Sequence, residues 1–144
     1  MSTQRLSYEE PSLADIEFLE DQLYEFNMAA TGIADGRSLG VFLRDATQNI
    51  VAAAAGHTWG DTCELRQVWV AQSLRYQGIG RRLLAEAEAE AVRRGCCQIV
   101  LTTHSFQAPE FYAKLGFTAI AEVPEYPRGH SQVVLRKALS ASAG

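Results

Sequence analysis

The stretch Arg75–Tyr76–Gln77–Gly78–Ile79–Gly80 decides how this chain is read. Upstream, Leu65–Arg66–Gln67–Val68–Trp69–Val70 has the β-branched and aromatic content of a strand. Downstream, a helix is expected over residues 78–94, with Ile79, Leu83, Leu84, Ala87 and Val92 on one side and Gly95 as its stop. The order is strand, glycine-bearing turn, helix. A helix start carries unpaired backbone N–H groups and the positive end of the macrodipole. Glycines there let an anion approach the backbone closely. Arg75, Arg81 and Arg82 add positive charge in a chain whose formal net charge is −4. The stretch reads as an anion cradle; an ordinary turn before a helix is the plain alternative.

Two common phosphate ligands fail on the residues. A P-loop ends in Gly-Lys-Ser/Thr, whereas Gly80 is followed by Arg81 and Arg82. A dinucleotide fingerprint requires a third glycine where this chain has Leu83.

The chain has 144 residues, which suits a single domain over 1–144 with its core over about 4–137. Apolar content of 47% and charged content of 21% fit a soluble globular protein. An isoelectric point of about 5.4 argues against a nucleic-acid binder, which shows a basic face. The cysteines, Cys63, Cys96 and Cys97, are odd in number and include an adjacent pair. They form neither a disulfide framework nor a Cys-x-x-Cys metal pair, so free thiols in a reducing cytoplasm are expected, with no metal. The first residues lack the apolar core of a signal peptide, and no run of about 18 apolar residues would span a membrane.

A coarse pass orders the elements. A short strand is expected over 4–8. Ser12 caps a helix with Asp15 in the capping-box position. Leu13, Ile16, Leu19, Leu23 and Phe26 give that helix its apolar spacing, and Thr31-Gly32 ends it. Three strands follow as a meander over 38–45, 50–59 and 62–70, with turns at 46–49 and Gly60-Asp61. The run 98–103 is expected as a buried strand, because Ile99-Val100-Leu101 is apolar without alternation. With the preceding strand and helix it makes a βαβ-like unit, so this part of the sheet should be parallel. A short helix then opens at Ala108-Pro109 and stops at Gly116, and strands over 117–123 and 130–137 flank a loop with two prolines.

The second informative stretch is Glu110–Phe111–Tyr112–Ala113–Lys114–Leu115–Gly116–Phe117. By itself it can be the core face of an amphipathic helix. Taken with Arg75-x-x-Gly78-x-Gly80 upstream, it resembles the paired signatures of the GNAT superfamily of N-acetyltransferases, which use acetyl-coenzyme A. The element order over residues 4–137 is similar to that family as well, most strongly over 68–117. The resemblance implies an α/β (mixed α+β) fold with a central mixed, largely antiparallel sheet and helices on both faces.

It also implies roles. The backbone of Trp69 and Val70 would pair with the pantetheine arm. The N–H groups of Gln77, Gly78, Ile79, Gly80 and Arg81 would hold the pyrophosphate, with Arg75 opening the signature. Tyr112 would protonate the leaving thiolate; its reference pKa of about 10 exceeds the thiol's, about 8.5. Glu64 sits where the histone-acetyltransferase branch carries its carboxylate base, and His104 and then His57 are the next candidates. Ser105 stands where the family often has Asn, which puts the usual contact to the coenzyme arm in doubt; a serine can still hydrogen-bond. Acceptor contacts would come from residues 26–37, from the neighbourhood of His57 and Trp59, and from Glu125–Tyr126–Pro127–Arg128–Gly129–His130.

The expected activity is acetyl transfer from acetyl-CoA to a primary amine on a small molecule or peptide, by direct attack. No nucleic acid or membrane is expected as a partner, and a homodimer is a fair expectation for the family. An acyl-CoA sensor without turnover is the alternative; Tyr112 counts against it.

Overall fold

The computed structural model describes residues 4–140. They fall into two compact units, divided between Ala34 and Asp35. No helix among the described residues is long and apolar enough to cross a membrane.

The first unit holds one helix, α1 (Leu13–Thr31). Its start is the expected capping box. Ser12 Oγ accepts the Asp15 N–H at 3.0 Å, and the Asp15 carboxylate accepts the Ser12 N–H at 2.9 Å. Its end is the expected glycine: Gly32 adopts φ +74° and donates to the Met28 carbonyl at 2.8 Å. The strand expected over 4–8 does not form, since these residues carry no regular structure. A strand exists only where a neighbour accepts its ladder, and no β pairing includes them.

The second unit is a six-stranded sheet with two helices. The strands are β1 (Arg37–Arg44), β2 (Ile50–Trp59), β3 (Thr62–Val70), β4 (Gln98–His104), β5 (Thr118–Pro124) and β6 (Ser131–Ala138). Their spatial order is β1-β2-β3-β4-β6-β5. Every neighbouring pair is antiparallel except β3 and β4, which run parallel as the βαβ reading requires. The crossover is α2 (Ile79–Arg93), and α3 (Pro109–Lys114) follows β4.

Helix α2 covers one face of this sheet. Leu39, Ala52, Ala54, Cys63, Leu65 and Ile99 are buried there beneath Leu83, Leu84, Ala87 and Ala91 of α2. Arg94, just past α2, locks the helix end to the meander. It donates to the Ser38 carbonyl at 3.0 Å and to Thr58 Oγ1 at 3.1 Å, and it pairs with Glu90 at 2.9 Å. The apolar run in β4 is buried on one side only: Ile99, Leu101 and Thr103 are buried, Val100 is half-buried and Thr102 is exposed. Lack of alternation in the sequence did not mean burial on both faces.

One irregularity shapes the sheet. Ala55 pairs with Gln67, but Gly56 pairs with Leu65, so Arg66 is an extra residue in β3. This bulge reverses which side chains face the helices. Cys63 and Leu65 point to the core before it, and Val68 and Val70 after it, while Trp69 is left 49% exposed. Gly56 makes the bulge possible, because a Cβ there would lie 1.8 Å from the Glu64 carbonyl oxygen.

Two predictions follow from packing. Gly56→Ala should cost about 2–4 kcal/mol, read from the urea midpoint, because backbone rather than a side chain must give way. Among the thiols, Cys97 is exposed while Cys63 and Cys96 are buried. Burial, with Cys96 nearby, pushes the Cys63 thiol up to about 11, and burial with Asp61 nearby raises Cys96. A chromogenic disulfide should therefore titrate one thiol rapidly in the native protein and the other two only after denaturation.

Candidate active site

The parallel pair β3–β4 is short. Pairing runs from Thr62↔Gln98 to Leu65↔Leu101 and stops there. Beyond it, residues 66–70 of β3 keep β2 as their only strand neighbour, and β4 continues beside β6 to His104. The two strands part into a cleft whose β3 wall has no strand partner on its β4 side, a template for an extended ligand that carries amides. Trp69 and Val70 lie at the end of this wall.

The anion cradle closes the end of the cleft. A short 3-10 turn, Gln72–Leu74, leads out of β3. Arg75 Nε then donates to the Val70 carbonyl at 3.0 Å, so this guanidinium fastens the loop to the strand end. Gln77 Nε2 likewise donates to the Ser73 carbonyl at 3.2 Å. Gly78 takes φ +79°, the left-handed conformation that turns the chain into α2. The first helical bond is Arg82 N–H to the Gly78 carbonyl at 3.1 Å. Among the described residues, the N–H groups of Gln77, Gly78, Ile79, Gly80 and Arg81 find no protein acceptor. That is a nest of donors at the positive end of a helix, as a pyrophosphate requires. A cavity of about 280 Å³ beside α2 and α3 is lined by Arg81, Lys114 and the ion pair of Lys137 with Glu88, 2.9 Å apart.

Gly80 has a second reason to be glycine. A Cβ there would lie 3.2 Å from the Phe111 ring on α3. Phe111 and Tyr112 meet edge to face at 5.1 Å, and Tyr112 meets Phe117 at 5.7 Å. Tyr112 is 8% exposed, and burial raises its phenol above the ordinary value of 10.0. Only His57 Nδ1 is a fully buried side-chain polar atom without a partner among the described residues. The Tyr112 hydroxyl also has no protein partner among the described residues, so it keeps some contact with solvent. The ring is held and the hydroxyl is free, which suits a proton donor.

Glu64 and His104 lie on the sheet face opposite α2, and Ser105 lies just beyond the end of β4. Glu64 is opposite His57 across β2–β3 and beside Val100 of β4. Its carboxylate is bound by Arg66 Nε at 3.0 Å, and both side chains are about half exposed. Ser105 Oγ accepts the Ser131 N–H at 3.1 Å, and Ser105 N–H donates to the Ser131 carbonyl at 2.8 Å. Those bonds use Ser105 to seal the end of β4 against β6. His104 ends β4 with its ring stacked on Phe106 and Tyr126, centroids 5.3 and 5.1 Å away. The loop that supplies Tyr126 is tight: Tyr126 N–H donates to His130 at 3.1 Å, His130 N–H to Pro127 at 2.8 Å and Gly129 N–H to Glu125 at 3.1 Å.

Sequence reasoning missed Gly56 and the Phe111 contact with Gly80. A glycine closing the run Ala52–Ala55 was the available signal for the bulge. No local pattern could have announced that Phe111 would sit over Gly80.

The profile of the acetyltransferase (GNAT) family matches residues 4–117. An acetyltransferase of Agrobacterium fabrum is 32% identical over 119 residues, which is 83% of this chain and 87% of that protein. Blasticidin-S acetyltransferase of Streptomyces morookaense is 33% identical over 113 residues, 76% of this chain and 83% of that one. A solved structure from Agrobacterium tumefaciens superposes with TM-score 0.85 at 28% identity, covering 95% of this chain and all 100% of that one. A Bacillus cereus acetyltransferase gives 0.76 at 28%, covering 93% and 98%. The parted strands, the donor nest and the free phenol are thus found in a chain that belongs to the GNAT superfamily of acetyl-CoA-dependent acetyltransferases.

Proposed function

We propose that this enzyme moves the acetyl group of acetyl-CoA onto a primary amine of a small molecule or peptide by direct attack, with Tyr112 as the acid. The observation that carries the reading is the Tyr112 hydroxyl: its ring is buried, it has no protein partner, and Phe111 couples it to the phosphate loop.

In this reading the pantetheine arm lies along residues 66–70 and the pyrophosphate takes the N–H groups of residues 77–81. The thioester then sits between the parted strands. The amine nitrogen attacks its carbonyl carbon, the C–S bond breaks, and the thiolate takes the Tyr112 proton. Two groups on the opposite face can take the proton from the ammonium, Glu64 and His104. Blasticidin S belongs first in an acceptor panel, because a relative that is 33% identical is named for it.

Tyr112→Phe should lower kcat by roughly 10²–10⁴ while the affinity for acetyl-CoA, read by calorimetry, stays within about twofold. Full turnover in the variant would remove Tyr112 from the mechanism. The pH dependence has a defined sign. The acid works protonated, and burial shifts the phenol upward from 10.0, so alkaline loss caused by Tyr112 should have its midpoint above that pH.

A further inference from the structure

His104 is held at more points than a terminal strand residue needs. Its Nδ1 lies 3.0 Å from the Tyr126 carbonyl oxygen. A carbonyl only accepts, so Nδ1 carries the proton. In a neutral imidazole the other nitrogen, Nε2, is then a bare lone pair. The ring stacks on Phe106 at 13° and on Tyr126 at 27°, which fixes its plane. Phe106 is in turn braced edge-on by His130, centroids 5.0 Å apart. The backbone is pinned as well, with Gln107 Oε1 accepting the His104 N–H at 2.9 Å. No protein partner for Nε2 is present among the described residues. Three restraints thus orient one unoccupied base.

Its place in the cleft is also informative. The strands part after Leu65 and Leu101. Glu64 is level with Val100, on the closed side of that point, and its carboxylate is engaged by Arg66. His104 is four residues further along β4 than Val100, about 13 Å toward the open end. It alternates with the buried Ile99, Leu101 and Thr103, so it shares the side of the sheet that carries Glu64.

We infer that His104 Nε2 accepts the proton of the incoming ammonium, and that the Tyr126 carbonyl sets the tautomer that lets it do so. This rests on the acetyl-transfer reading above. Nε2 takes one proton from the ammonium, and the neutral nitrogen attacks the thioester carbonyl carbon. The C–N bond forms and the C–S bond breaks. Tyr112 protonates the thiolate, and the second proton leaving the nitrogen restores Tyr112. His104 gives its proton to solvent. One ammonium and one acetyl-CoA yield one amide, one free thiol and one proton. Phe106 and Tyr126 are positioning residues in this step.

The test separates a base from a structural ring. His104→Asn keeps a donor near the Nδ1 position for the Tyr126 carbonyl and removes Nε2. With acceptor and acetyl-CoA, and thiol release as the readout, kcat should fall roughly 10²–10⁴-fold with an unchanged KM for acetyl-CoA, while loss of the ring stacking lowers the melting temperature only modestly. Glu64→Gln should fall far less. The imidazole nitrogen spectrum of the wild-type protein should show His104 with a protonated Nδ1 and a bare Nε2, which reads the assignment even if the variant fails to fold. Wild-type kcat in a folded His104→Asn, or a proton on Nε2 in the neutral ring, overturns the proposal and leaves acetyl transfer standing. Absence of thiol release from the wild type with every amine overturns both.

Discussion

The site depends on one constraint: β3 and β4 pair for only a few residues and then separate. A parallel pair that continued would consume its own edge in hydrogen bonds and leave nothing for a ligand. What keeps the strands apart is built into β3. The extra residue at Arg66 bends the strand just past the last β4 pair and exchanges which residues face α2. The bulge requires close approach of β2, and only a residue without Cβ permits it, which makes Gly56 as much a site residue as any that touches a substrate. The core and the cleft share this origin, because the same shift that opens the edge sends Val68 and Val70 into the apolar layer.

Sequence and structure met most closely where the signal was local. The glycine turn, the capping box at Ser12 and Asp15, and the stops at Gly32 and Gly95 are each decided by a few adjacent residues, and each formed as read. The meander was legible because its turn residues bracket strands of regular length. Readings that needed a distant partner fared worse. Residues 4–8 have strand-like composition but no neighbour to complete a ladder. The run Ile99-Val100-Leu101 looked buried on both sides, yet hydrophobicity along a strand does not say how many faces are covered. In the candidate site, the phosphate loop and Tyr112 were legible as motifs. The tautomer of His104 was not, since it depends on a carbonyl of Tyr126, which only the folded loop brings to the end of β4.

The two halves of the chemistry are held by separate means. On the helix side, the glycine turn and Tyr112 form one packed unit. Gly80 lies under Phe111, Phe111 lies against Tyr112, and Tyr112 lies against Phe117. Close-packed rings transmit displacement, so in the proposed reaction seating a pyrophosphate and placing the phenol would be mechanically linked. On the other side, His104, Phe106, Tyr126 and His130 form a cluster of their own, made from the end of β4 and the loop between β5 and β6. Among the described residues, no ring contact joins the two groups. Substitutions in the loop over 125–130 can therefore reshape the acceptor side without disturbing the coenzyme side. In the proposed reading, a fold arranged this way can keep one cosubstrate while its acceptor changes, and the identity of the acceptor is to be sought in that loop rather than in the glycine turn.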